Sequence, residues 1–263
     1  VNGIPVIQAG NNGRAVSRAT LLYSRSGDRV SLSVAAVETV PYPGLEADPV
    51  VAGIVAASQA AVAQVKNLVL GKTVHELSHD RYRLSPLGQW AGDVMREAAL
   101  AQIALLNGGG LRTSIPAGPV TAGTLYEVMP FDNTLVTMDL TGAQIYAILN
   151  YGLDNKKIGS VQFSGLRVVV DPSRPADGRI VSVHTLDGEP LDPERLYRVV
   201  TNDFLAAGGD EYSTFKEGKN VTDTFITVRD AFMNAVRRIR VIDFQPDGRL
   251  SEIGDAGGLR KAS

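Results

Sequence analysis

The run Ala101-Gln102-Ile103-Ala104-Leu105-Leu106, followed at once by Asn107-Gly108-Gly109-Gly110, constrains this chain more than any other segment. A short apolar run bounded by turn residues reads as a buried strand. Glycines at its end mark a place where the backbone takes unusual dihedrals or closely approaches another molecule. In open α/β sheets the carboxyl ends of strands are where ligand crevices lie. Arg112, two residues beyond the last glycine, adds a planar, permanently charged fork suited to phosphate or carboxylate.

From Leu68 onward, stretches of strand length alternate with helical patterns, which implies a mixed or parallel sheet with helical crossovers. The pattern predicts helices near 86–100, 121–129, 141–153 and 222–238, and strands near 101–106, 134–140, 163–170, 179–184 and 196–202. The fold class is therefore α/β, with an α+β mixed sheet. Upstream, alternating residues predict strands at 4–9, 15–24 and 29–34, with turn signals at Gly10-Asn11-Asn12-Gly13 and Ser26-Gly27-Asp28. So small a meander is not stable alone, so it is expected to complete a sheet whose other strands lie elsewhere. After the break at Pro41-Tyr42-Pro43-Gly44, Asp48 caps a predicted helix over 49–66, striped by Val51, Ile54, Val55, Val62 and Val65. The tail after Phe244 reads as polar and glycine-rich.

With 44% hydrophobic residues in 263, the chain can bury a substantial core. Its 26 basic and 28 acidic side chains leave a formal charge of −2, so no global field draws nucleic acid or an anionic membrane. The absence of cysteine excludes disulfides, thiol catalysis and cysteine-bound metals, and leaves the compartment open. No apolar run is expected to reach the ~20 residues of a membrane span. The opening from Val1 to Val6 lacks signal-peptide character and reads as cut from a longer chain.

Three motif-like segments fail on context. His75-Glu76-Leu77-Ser78-His79 has zinc-protease spacing, but that motif needs a long helix, and Gly71 and Pro86 stand close on either side. Gly71-Lys72-Thr73 lacks the earlier phosphate-loop glycine, because Lys66 occupies that position. Thr113 stands where a dinucleotide fingerprint requires its third glycine.

Two further loops follow or precede strands: Phe204-Leu205-Ala206-Ala207-Gly208-Gly209-Asp210 and Pro130-Phe131-Asp132-Asn133. Each alone reads as a turn or a cap. Together with Arg81, Arg112 and Asn107 they assemble the chemistry a nucleotide requires. Aromatic faces stack on a base, amides read ring nitrogens, a carboxylate accepts from ribose, and guanidinium groups pair with phosphate.

NGGGLR at 107–112, MPFDN at 129–133, QFSGLRVVVDPS at 162–173 and TNDFLAAGGDEY at 201–212 resemble, in order and spacing, the C-terminal domain of the 5′-nucleotidase family. The resemblance covers roughly 68 to 245, and GIPVIQAGNNGRAVSRATL at 3–21 is similar to the last strands of that family's N-terminal metallophosphatase domain. It implies four parts: strands of the metallophosphatase domain at 1–40, a linker helix at 41–67, the substrate-binding domain at 68–245, and a tail at 246–263.

By the same resemblance Phe131 and Phe204 would sandwich the base, Asp210 would bind ribose, and Asn107 and Asn133 would contact the base edge or nearby polar atoms. Arg81, seven residues before Gly88, and Arg112 would hold sugar and phosphate, with Gly109 in the pocket wall. A second arginine that the family sometimes uses is here Leu77. The family holds two divalent metal ions with Asp-x-His, Gly-Asn-His-Asp/Glu and Gly-His-x-His motifs of the N-terminal domain, and this sequence has none of them. The resemblance thus implies a nucleotide or nucleoside ligand and the metallophosphatase domain as partner. It also implies no catalytic residue or metal in this chain, no turnover by the chain alone, and an extracellular, cell-surface or periplasmic location. Alternatives are a non-catalytic nucleotide-binding or surface module, and a related cyclic-nucleotide phosphodiesterase or UDP-sugar hydrolase.

Overall fold

The computed structural model describes residues 6–9, 15–41, 46–153, 155–175, 178–253 and 259–261. The chain divides into two compact units, 1–61 and 62–263.

In the first unit, β1 (Ala15–Ser26) and β2 (Arg29–Pro41) form an antiparallel hairpin closed by Gly27-Asp28. Gly27 takes φ +62°, the left-handed conformation that a two-residue hairpin turn demands. Residues 6–9 form no strand, contrary to the expectation for 4–9, because no described segment pairs with them. Residues 4 and 5, and the turn signal at 10–13, lie outside the described residues. The helix α1 (Pro49–Lys66), whose residues from Val62 onward belong to the second unit, begins as expected: Asp48 Oδ1 accepts from the amides of Val50 and Val51 at 2.9 and 3.0 Å. None of its residues is buried, so the apolar stripe stays uncovered. By length and composition alone this 18-residue helix is apolar enough to cross a membrane, and it stays short of the ~20 residues of an ordinary span. Many alanines and valines raise its mean hydropathy to 1.3 despite Ser58, Gln59 and Gln64.

The second unit runs β3 (Val69–Thr73), α2 (Pro86–Ala98), β4 (Ile103–Asn107), β5 (Gly118–Thr121), α3 (Ala122–Val128), β6 (Thr134–Thr141), α4 (Gly142–Gly152), β7 (Val161–Ser164), β8 (Leu166–Val170) and β9 (Ile180–Thr185). It continues with β10 (Leu196–Asn202), α5 (Asp203–Ala206), β11 (Lys219–Thr227), α6 (Val228–Ile239), β12 (Val241–Ile242), β13 (Leu250–Ile253) and β14 (Leu259–Lys261). A five-stranded sheet, in the order β11-β6-β10-β4-β7, forms its centre. Within it β10 and β4 are parallel, and the other pairings are antiparallel.

Alternation along β4 explains the apolar run. Ala104 and Leu106 join a core with Trp90 and Phe232, whereas Ile103 and Leu105 join a second core with Ile145 and Phe163. A strand covered on both faces is apolar at successive positions. Two smaller sheets, β12-β3-β5 and β14-β13-β8-β9, complete the unit. Local chemistry sets the helix starts. Ser85 Oγ accepts from Gly88 N at 3.0 Å ahead of α2, Thr141 and Gln144 form a capping box on α4, and Thr227 Oγ1 accepts from Asp230 N at 3.0 Å.

Three expectations are corrected. The single strand at 163–170 is two strands in different sheets, broken at Gly165 with φ +87°, where a Cβ would collide with the Gln102 carbonyl. The helix at 222–238 begins only at Val228, because the β-branched residues Val221, Thr222, Thr224, Ile226 and Thr227 extend as an edge strand on β6. The polar tail contains β13, which pairs in parallel with β8. Arg249 at its start is buried, and its guanidinium donates to Asp93 at 2.8 and 3.0 Å and to the Phe163 carbonyl at 3.3 Å. A charge that is solvated in most sequences here fastens the tail to α2.

Candidate functional site

Because β4 and β10 are parallel, they end at the same edge of the sheet, and antiparallel β6 begins there. Each contributes an asparagine. Asn107 closes β4, Asn202 closes β10, and Asn133 precedes β6. Asn107 is 7% exposed; its Nδ2 donates to Asp210 Oδ2 at 2.8 Å, and its Oδ1 accepts from Asn202 Nδ2 at 3.2 Å. Asn202 Oδ1 in turn accepts from Leu205 N at 2.8 Å, capping α5. Asp210 itself has φ +51° and follows Gly208 at φ +84°. The Tyr151 hydroxyl donates to its carbonyl at 3.2 Å, and Lys157 pairs with neighbouring Glu211 at 2.6 Å. This hydrogen bond from Lys157 holds the Glu211 carboxyl below the usual carboxylate range.

The two phenylalanines stand on loops joined side chain to side chain. Asn133 Nδ2 donates to Asp203 Oδ1 at 2.6 Å, and the same oxygen accepts from Phe204 N at 2.8 Å. Both rings remain half-exposed, Phe131 at 44% and Phe204 at 42%. The Phe204 ring lies against Gly209, where a Cβ would stand 2.5 Å from two ring atoms.

The glycine loop, a 3₁₀ turn at Gly108–Gly110, works differently from expectation. None of its glycines has a positive φ, so left-handed geometry does not require them; room is lacking at Gly108, tight at Gly110, and ordinary at Gly109. A Cβ on Gly108 would stand 2.5 Å from the Arg81 carbonyl and 2.7 Å from that of Ser160. Gly108 N donates to Ser160 O at 2.9 Å, and Ser160 N donates to Arg81 O at 2.7 Å, so three backbones meet there. The Arg81 guanidinium passes over Gly109, with Cζ 3.6 Å from where a Cβ would be, and its Nη2 donates to Ile158 O at 3.3 Å. Arg112 Nη1 donates to Gly109 O at 3.1 Å, and its Cζ lies 6.0 Å from the Phe131 ring centre. Arg81, Gly109, Arg112 and Phe131 thus form one chain of contacts, Asn107 and Asp210 a second, and Asn133 reaches Phe204 through Asp203.

The segment 75–79 is not helical. Leu77 forms a β-bridge with Ile115, and His79 N donates to Ser114 Oγ at 2.9 Å, which ties this stretch beside Arg112. Burial, with Arg112 and Arg81 assisting and Asp80 opposing, lowers the His79 pKa below its ordinary value. Among the described residues, no group of three or more His, Cys, Asp or Glu side chains is placed to hold a metal. A concavity of about 520 Å³ between the end of α1 and α3, lined by Val65, Tyr126 and Glu127, includes none of the expected ligand-binding residues.

Sequence reasoning passed over Asn202 and Asp203. Their signal was position, a polar pair directly after a β-rich run, but nothing local revealed that they bridge to residues 95 and 70 positions away.

The chain matches the family model described as 5′-nucleotidase, C-terminal domain, over residues 61–217, and it belongs to that family. It is 30% identical, over 94% of its length, to the trifunctional nucleotide phosphoesterase protein YfkN of Bacillus subtilis, of which it covers 18%. It is 32% identical, over 69% of its length, to protein UshA of Yersinia enterocolitica, of which it covers 33%. Among solved structures, a 5′-nucleotidase precursor from Thermus thermophilus shares 34% identity with a TM-score of 0.76, over 92% of this chain and 50% of that one. The chain therefore spans half or less of the length of these relatives. The mixed α/β fold is that of the 5′-nucleotidase C-terminal domain, in a family of phosphoester hydrolases.

Proposed function

We propose that this chain is the nucleotide-recognition part of a 5′-nucleotidase-like phosphoester hydrolase, with its two divalent metal ions held by a metallophosphatase domain outside the chain. The observation that carries this reading is the Asn133–Asp203 hydrogen bond of 2.6 Å, which ties together the loops of two half-exposed phenylalanines. A base stacked on Phe131 and Phe204 would gain about 1–3 kcal/mol from stacking. Asp210 would accept from ribose hydroxyls, and Arg81 and Arg112 would draw in the phosphate across Gly109. Asn107 and Asn133, whose amide groups are engaged in the protein, would hold Asp210 and the ring-bearing loops in place. Fixing base and ribose in this way lowers the entropic barrier of a reaction carried out elsewhere.

On this reading residues 1–40 are closing strands of the metallophosphatase domain, 41–67 a linker, 68–245 the recognition domain and 246–263 a tail that β13 anchors. A location outside the cytoplasm accords with one relative being named a cell wall protein. Calorimetric titration with adenosine and AMP tests the base site. Phe204→Ala should weaken adenosine binding by about tenfold or more, given the energy of one lost stacking face. An unchanged affinity would refute the base sandwich.

A further inference from the structure

Arg229 lies in the first turn of α6, yet it is only 7% exposed. Burying a guanidinium is unfavourable unless its charge and donors are satisfied, so its partners reveal its role. They all lie on one short segment. Nη1 donates to Met129 O at 3.0 Å and to Phe131 O at 3.2 Å, Nη2 bonds the Asp132 carboxylate, and the charged plane sits 4.1 Å from the centre of the Tyr126 ring. The preceding residue, Val228, donates its amide to Asn133 O at 2.8 Å. Two adjacent residues of α6 therefore grip the 129–133 loop at four points. All four are on backbone or on Asp132 and Asn133, so the Phe131 ring itself is left half-exposed. The task suits arginine in particular. A lysine ammonium has no plane to lay on Tyr126 while it reaches two carbonyls and a carboxylate.

We propose that Arg229 is the positioning residue of the base site: it sets where the Phe131 ring stands by fixing the backbone on either side of it. It touches no ligand and acts through the loop. The consequence for ligand binding rests on the nucleotide reading above, whereas the consequence for loop order does not.

The test uses the full chain with Arg229→Met, Arg229→Lys, Phe131→Ala and the double variant R229M/F131A. Without ligand, backbone order parameters at 131–133 should fall from about 0.85 to below about 0.6 in R229M. With adenosine, R229M should bind about tenfold more weakly, the scale of one stacking contact, and R229K should lie between it and the parent. In the F131A background R229M should add less than about twofold, because the ring it positions is gone. The only tryptophan, Trp90, packs on Phe232 of α6 with ring centres 5.2 Å apart, so its emission reports whether the helix remains seated. Should R229M disturb that emission, R229K is read by the same two measurements. Unchanged order parameters would overturn the proposal, and so would an R229M penalty retained in full without Phe131. Failure of the parent chain to bind adenosine would sink the nucleotide reading alone and leave the order parameters to decide the role of Arg229.

Discussion

At Gly209 a single methyl group separates a packed ring from a displaced one. The φ of Gly209 is not positive, so alanine is allowed there by the backbone and the nearest obstacle is the Phe204 ring, 2.5 Å from the new Cβ. Gly209→Ala should therefore weaken adenosine binding by about tenfold, the scale of a lost stacking contact, and leave Tm nearly unchanged. Titration calorimetry beside thermal melting checks both halves. A large fall in Tm with intact binding would mean that the glycine serves the fold instead. The loops of Phe131, Phe204 and Asp210 each read alone as turns or caps, and with Arg81 and Arg112 they become candidates as a set, through complementary chemistry and the order of four motifs. Arg229 gave no such signal, since an arginine in the first turn of an amphipathic helix ordinarily faces solvent.

Elements were legible where periodicity and capping agree. Asp48 announces α1 as a cap, and periodicity places α2 and α4, whose starts the structure fixes with Ser85 and Thr141 through hydrogen bonds that act within four residues. Boundaries failed where a distant partner decides. Residues 163–170 read as one strand because nothing local shows that β7 joins one sheet and β8 another, with Gly165 turning between them at the Gln102 carbonyl. Gly165→Ala should destabilise the chain by about 1–3 kcal/mol through strain at φ +87° alone. Urea unfolding measures this; a loss below a few tenths would show that the junction relaxes freely. The stretch 219–227 misled in the same way, since its edge-strand role depends on the offer of hydrogen bonds from β6.

At the scale of the whole molecule, recognition and chemistry are expected to part company. If this chain orients a nucleotide for metals held elsewhere, the purified chain should show no AMP hydrolysis above background with added Mg²⁺, Mn²⁺ or Zn²⁺, while it still binds adenosine. Robust metal-dependent release of phosphate would defeat that division of labour. The exposed apolar stripe of α1 and the exposed faces of the β1–β2 hairpin accord with a chain that spans half or less of its relatives.

The class of fold, most helix starts and the family can be read from the residues alone, because these follow from short-range periodicity, capping and the order of four loop motifs. The folded chain alone reveals that Gly108 makes room for the backbones of 81 and 160, while Gly109 and Gly110 face the side chains of Arg81 and Asn107. It alone joined Asn107 to Asp210, Asn133 to Asp203, and Arg229 to the carbonyls around Phe131. Such bonds span 70 to 103 residues of chain, and their partners are chosen by which strand ends the sheet brings together.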